Sequence, residues 1–270
     1  MQTYSGPAVK SQIHKTDGGT MATKVFEPQE SRLDKYFFPA IALLILATVL
    51  WGFARTYFLA GVFKAPLPNV LIHLHGAAFS SWVLLLITQT SLVAAKRVEV
   101  HRKLGLVGFV LACLMVLLGV LASTDLLRRE FGQPTDASGL DPKTFYIIPL
   151  TDMLIFGILV FLAFRARSNP PAHKRFLLIA TTALMIAAVA RWPIGFIQNN
   201  PFWVAQLCTY GFLLLLVAHD LWTTRTVHRV TIWASAFLIV VQQVRVPLGH
   251  TDAWHCFATW AQNLARRMPG

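Results

Sequence analysis

Acidic side chains are scarce in this chain. Twelve Asp and Glu stand against 24 Lys and Arg in 270 residues, and charged residues of both signs make up only 13%. A water-soluble domain carries roughly a quarter charged residues, so the deficit argues against an ordinary soluble fold. Cysteine is nearly missing too: Cys113, Cys208 and Cys256 are the whole complement, and no C-x-x-C pair occurs. That removes a disulfide framework and a thiolate zinc cluster. No Gly-rich phosphate loop is present, which excludes a P-loop ATPase. Neither H-E-x-x-H nor G-x-S-x-G occurs, so the common membrane hydrolase signatures are missing. The last long apolar run contains no lysine that could carry a retinal Schiff base.

What the chain has instead is apolar length. Hydrophobic residues reach 55%, with a mean hydropathy of +0.55. Seven apolar runs, at about 36–58, 70–93, 104–124, 146–164, 175–195, 202–221 and 230–248, each approach the ~20 residues that cross a bilayer as a helix. They are apolar on nearly all sides, which excludes the alternating pattern of a membrane β-barrel. The expected fold is therefore all-α, a polytopic bundle of about seven spans. A polar tail over 1–35 lacks the layout of a cleavable signal and reads as a disordered cytoplasmic segment. The spans then occupy 36–248, and 249–270 forms a C-terminal interfacial segment.

The net charge of +12 does not point to nucleic acid, because the basic residues sit in short segments between apolar runs. Fifteen of the 24 fall in the tail and in 94–103, 165–175 and 222–229. Basic residues gather at the cytoplasmic face, which predicts an N-terminus inside and a C-terminus outside in a cell's inner membrane. The lipid bilayer is the expected partner, with anionic headgroups meeting the inner loops and room for another membrane protein.

His101-Arg102, His173-Lys174-Arg175 and His228-Arg229 each precede an outward-going run, and Arg191 and Arg245 follow the second and third by 18 and 17 residues. This spacing suggests three helical hairpins added to one N-terminal span. After Gly249, Trp254, Phe257, Ala261 and Leu264 recur at helical spacing, as in a helix lying on the outer surface. The H-x-H-G of His73–Gly76 followed by Trp82 and Gln89, the H-R-x-x-G of His101–Gly105, the A-H-K-R-F of Ala172–Phe176 and the final G-x-x-x-x-W ending at Trp254 resemble a family of bacterial multi-pass inner-membrane proteins without an assigned activity. That resemblance covers about 50–260 and implies fold and location only.

Chemistry in such a protein rests on the few ionisable residues inside the spans, which are costly there and face protein or a water-filled cavity. His75, Trp82 and Gln89 are spaced by seven and fall nearly on one helical line. His73, two residues before His75, points about 200° away. Asp152 lies at the same expected depth as His73 and His75, with Arg191, Arg55 and Arg245 also near the outer level. Arg191, His73 and His75 are the expected partners of Asp152. The cluster His73, His75, Asp152, Arg191, Arg55, Arg245, Trp82 and Gln89 suits a small molecule, an ion or a proton. A clamped anion, a proton relay and a metal held by His75 and Asp152 are its chemical forms. A purely structural Asp–Arg clasp is the bland alternative.

A second reading is a redox subunit holding haem or a transition metal, with His101, His173, His219 and His228 as the haem ligands on offer. A third is an accessory subunit that only packs in a larger membrane complex.

Overall fold

The computed structural model describes residues 32–64, 69–129, 139–199 and 203–267. Among them there are only helices: α1 Arg32–Phe53, α2 Ala60–Phe63, α3 Val70–Ala94, α4 Val98–Arg129, α5 Pro142–Arg165, α6 Pro170–Leu184, α7 Ile186–Val189, α8 Gly195–Gln198, α9 Trp203–Thr224, α10 Arg229–Gly249 and α11 Asp252–Arg267, with a π-helical turn at Ala54–Phe58. Seven stretches are long and apolar enough to cross a membrane: Lys35–Phe58, Val70–Ala94, Val98–Arg129, Pro142–Arg165, Pro170–Val189, Trp203–Thr224 and Arg229–Gly249. The chain is a multi-pass, all-α membrane protein. The expected tail at 1–35 lies outside the described residues up to position 31, and α1 is already helical from Arg32.

The helix starts follow from local chemistry. The Asn69 side chain accepts from the Ile72 amide at 2.9 Å and caps α3. Asp141 accepts from the amides of Lys143 and Thr144 at 3.0 and 3.1 Å, and Pro142 follows as the first residue of α5. Asn169 before Pro170 does the same for α6 through Ala172, and the His228 Nδ1 caps α10 through Val230. Each cap satisfies an amide that has no partner within its helix, and a proline at the first position loses nothing there. The capping Asn169 explains why the fifth span begins at 170, not at the expected 175.

Two expected continuous helices are interrupted. The first span widens into the π-helical turn at Ala54–Phe58. The fifth breaks at Met185, ends as the short α7 and leaves the helical path before Pro193. The two breaks are neighbours. A Cβ on Gly52 would overlap the carbonyl oxygen of Ala188 in α7, so only glycine lets the two backbones approach this closely. Between helices in lipid, where apolar surface gains little by association, small residues and van der Waals contact hold the packing.

The three-hairpin arrangement holds only in part. α3 packs on α4, and α5 on α6, but α10 packs mainly on α5 and α6 rather than on α9. Its Arg245 side chain reaches α5, as described below. The core centres on Phe156, Leu159, Ile155, Ile179, Met115 and Leu216, all fully enclosed.

α11 caps one end of the bundle over α4 and α5. The Gln262 amide donates to the Leu127 carbonyl at 2.8 Å, and the Trp254 indole donates to the Lys143 carbonyl at 2.7 Å. Its inward face is Ala258, Ala261, Gln262 and Ala265, while Phe257, Trp260 and Leu264 stay exposed. The expected stripe of Trp254, Phe257, Ala261 and Leu264 is thus divided. Small residues seat the helix on the protein, and the bulky ones project from it as an interfacial helix requires.

Candidate functional site

At the α11 end, the interrupted parts of α1 and α6–α7 leave a cavity against α3, with a volume of 130 Å³. Its walls are mostly apolar and include Phe53, Tyr57, Phe79 and Trp82; His75 and Ser80 are the polar exceptions. A volume of this size holds a benzene-sized molecule. The His75 ring stacks on Phe79 with centroids 4.2 Å apart. The ring lies beside the Leu118 backbone, and no well-formed hydrogen bond reaches its solvent-shielded Nδ1. Trp82 is fixed by an indole N–H donated to the Thr181 hydroxyl at 3.2 Å and by an edge contact on Phe156. His73 points elsewhere, as its spacing predicted, and meets the Tyr57 hydroxyl at 3.2 Å through Nδ1. The glycine of H-x-H-G has a reason here: a Cβ on Gly76 would come within 2.9 Å of the Tyr57 ring. π-Helical turns are frequent at functional sites, and this one supplies Tyr57 and Phe58 to the cavity.

Arg191 stands at the edge of this cavity. One guanidinium nitrogen donates to the Ala187 carbonyl at 2.7 Å, and the group lies over the Phe53 ring at 5.0 Å. It is closely surrounded by protein atoms yet keeps an exposed surface. Arg55, on the π-turn, instead lies over Phe63 at 5.5 Å.

The expected Asp152–Arg191 pair does not form. Asp152 is bound by Arg245, with Nη1 to Oδ1 at 2.6 Å, and the Arg245 side chain is fully enclosed. The Asp152 side chain also takes a hydrogen bond from Gln242. Arg245 Nη2 reaches the Gln206 carbonyl oxygen at 3.2 Å, and the Gln206 amide reaches the Tyr210 hydroxyl at 2.9 Å. The network joins α5, α9 and α10. The reason for the correction is helix order: α5 lies beside α10, while Arg191 leaves the bundle past the end of α7. The aspartate and the cavity are therefore separate features, and the proposed His75–Asp152 metal pair is not assembled. Among the described residues, no group of three or more His, Cys, Asp or Glu could hold a metal ion.

Gln89 belongs to the opposite end of the bundle, 14 residues along α3 from His75. There its amide lies near Gly105, where a Cβ would be 3.5 Å from it, one turn from His101. The His101 and His173 rings stand at right angles, centroids 6.3 Å apart, and His173 Nδ1 meets the Ala163 carbonyl at 2.8 Å. His219 stacks on Phe37 at 4.1 Å, and His228 caps α10. Of the four histidines, only His101 and His173 face each other.

A second buried ion pair sits at this end. Arg175 on α6 grips Asp220 on α9 through Nε, at 3.1 and 3.3 Å, and through Nη2. Asp220 also accepts from the Thr231 hydroxyl at 2.6 Å and from the His228 amide at 3.1 Å. Its side chain has no exposed surface. Sequence reasoning missed Asp220 because it closes an apolar run, where a charge reads as a helix end. Its signal was the adjoining His219, since two polar residues inside one run need partners. Gln206, Gln242 and Tyr210 were missed because uncharged polar residues blend into such runs. In comparisons with family models, with curated proteins and with solved structures, nothing matches the chain.

Proposed function

We propose that this membrane protein binds and handles a small molecule in the cavity bounded by α1, its π-helical turn, α3 and α7. One observation carries the reading: a largely apolar hollow of 130 Å³ is lined by His75, whose shielded Nδ1 has no well-formed hydrogen bond. An apolar pocket with few polar groups is the usual form of a small-molecule site. A shielded ring nitrogen left without a hydrogen bond costs about 1–3 kcal/mol, which a ligand group bonded to it would recover. The test is saturable binding of benzyl alcohol to the protein in lipid nanodiscs, followed by calorimetry. One site per chain is expected, weakened about fivefold by His75→Phe through loss of one hydrogen bond, and abolished by Ser80→Phe, which fills the cavity. No saturable binding, or binding that ignores Ser80→Phe, refutes the reading.

The distribution of Lys and Arg supports a cytoplasmic N-terminus and an external α11, in the inner membrane of a bacterium as the family resemblance suggests. Single cysteines in 94–103 and in 126–142, in a chain lacking Cys113, Cys208 and Cys256, should label from opposite sides with an impermeant maleimide. Labelling of both from one side rejects this orientation.

A second reading, a redox subunit, draws on the facing rings of His101 and His173. The His173 Nδ1 contact with the Ala163 carbonyl leaves its Nε2 for a ligand, as in many metal-bound histidines. Their 6.3 Å spacing is near the widest that two imidazoles on one metal allow, given bonds of about 2.0–2.1 Å. A visible spectrum before and after dithionite, with elemental analysis, decides it: a colourless, metal-free protein removes this reading.

A further inference from the structure

From the placement of Arg191 beside the His75 cavity, we infer that the ligand is an anionic amphiphile: a carboxylate or similar acid head on a short, benzene-sized apolar body. The inference rests on the cavity reading above and adds the charge of what enters. Arg191 is joined to the cavity wall at two points, through the carbonyl of Ala187 and the ring of Phe53, and both residues line the space.

Of the five N–H donors of a guanidinium, one is used on Ala187. Among the described residues no carboxylate pairs with Arg191, in contrast to Arg175 and Arg245, which are each bound to an aspartate. A cation at the level of a membrane surface, with donors to spare and an apolar hollow beside it, matches an acid whose tail lies in the hollow. The guanidinium fork suits a carboxylate in particular, because two parallel N–H bonds can meet its two oxygens. The Phe53 ring under Arg191 limits the orientations the fork can take. The π-helical turn contributes by holding Tyr57 and Phe58 around the hollow. Arg55 does not share the task, since it lies over Phe63.

Benzoate and benzyl alcohol separate this inference from the cavity reading, because they share a body and differ in head charge. Both are titrated against the intact chain in nanodiscs of uncharged lipid at neutral pH. Wild type should bind benzoate about tenfold more tightly, as a charge-assisted hydrogen bond allows. Arg191→Gln should remove that preference and leave benzyl alcohol affinity unchanged, while Arg55→Gln should change neither. Equal binding of the two probes by wild type overturns the anionic ligand and leaves the cavity standing. Loss of both probes in Arg191→Gln, with an unchanged melting profile, overturns it as well, since Arg191 would then only shape the wall. Absence of binding for both probes in wild type removes the cavity reading and this inference together.

Discussion

Neutralising Asp152 tests the helix packing most directly. Its carboxylate is held by the Arg245 guanidinium at 2.6 Å, and neither side chain has appreciable exposure. Removing one member of such a pair strands the other and typically costs about 3–5 kcal/mol, more than the pair itself contributes. The two single variants should differ. In Arg245→Gln, the remaining carboxyl escapes by binding a proton and keeps its hydrogen bond to Gln242. In Asp152→Asn, the guanidinium cannot give up its proton and loses the carboxylate that held it, while the neutral Gln206 contact stays. Asp152→Asn should therefore lie at the upper end of the range and Arg245→Gln at the lower. The double variant should recover most of the loss, because two neutral amides can bond to each other. Arg191→Gln should cost under about 1 kcal/mol, as exposed charges usually do. Reversible unfolding in mixed micelles, arranged as a double-mutant cycle, measures all four. A double variant no better than the worse single, or an Arg191→Gln loss equal to that of Arg245→Gln, would refute the assignment.

Gly52→Ala should destabilise by about 1–3 kcal/mol through overpacking, because its methyl meets the Ala188 carbonyl. Gly211→Ala on α9 has nothing within 4 Å and should be neutral or slightly stabilising in the same unfolding assay. Asp220→Asn should cost at least as much as Asp152→Asn, since it strands Arg175 and weakens the joints to α10 through Thr231 and His228; melting curves compare the two. At Asp141, burial alone would push the carboxyl up, but the Thr144 hydroxyl and amide, nearby His255 and the Lys143 amide outweigh it and hold the group below its ordinary value. A depressed carboxyl binds fewer protons folded than unfolded, so its stabilisation is complete above the ordinary carboxylate range and is lost as pH falls through the folded value. Asp141→Asn keeps the helix cap and should flatten the acid side of the stability–pH profile; an unchanged profile contradicts the argument.

Span number and helical class were readable from the chain alone because lipid imposes a local rule. A backbone in hydrocarbon must satisfy its own hydrogen bonds within each segment, so run length and composition suffice. Helix starts are local too, since a cap acts within three residues, but apolar run length alone set two of them late: the caps at Asp141 and Asn169 start those helices at 142 and 170 rather than at 146 and 175. Which side chains meet across helices is not a local matter. Asp152 was assigned to Arg191 by depth, yet depth leaves open which helices are neighbours, and packing put Arg245 beside it. Likewise His75 and Gln89 share a helical line but lie at opposite ends of α3, so only His75 reaches the cavity. The cavity itself arises from two breaks, the π-helical turn after Phe53 and the interruption at Met185, brought together where Gly52 meets Ala188. Periodicity cannot report such breaks, because they are settled by contacts between segments more than a hundred residues apart.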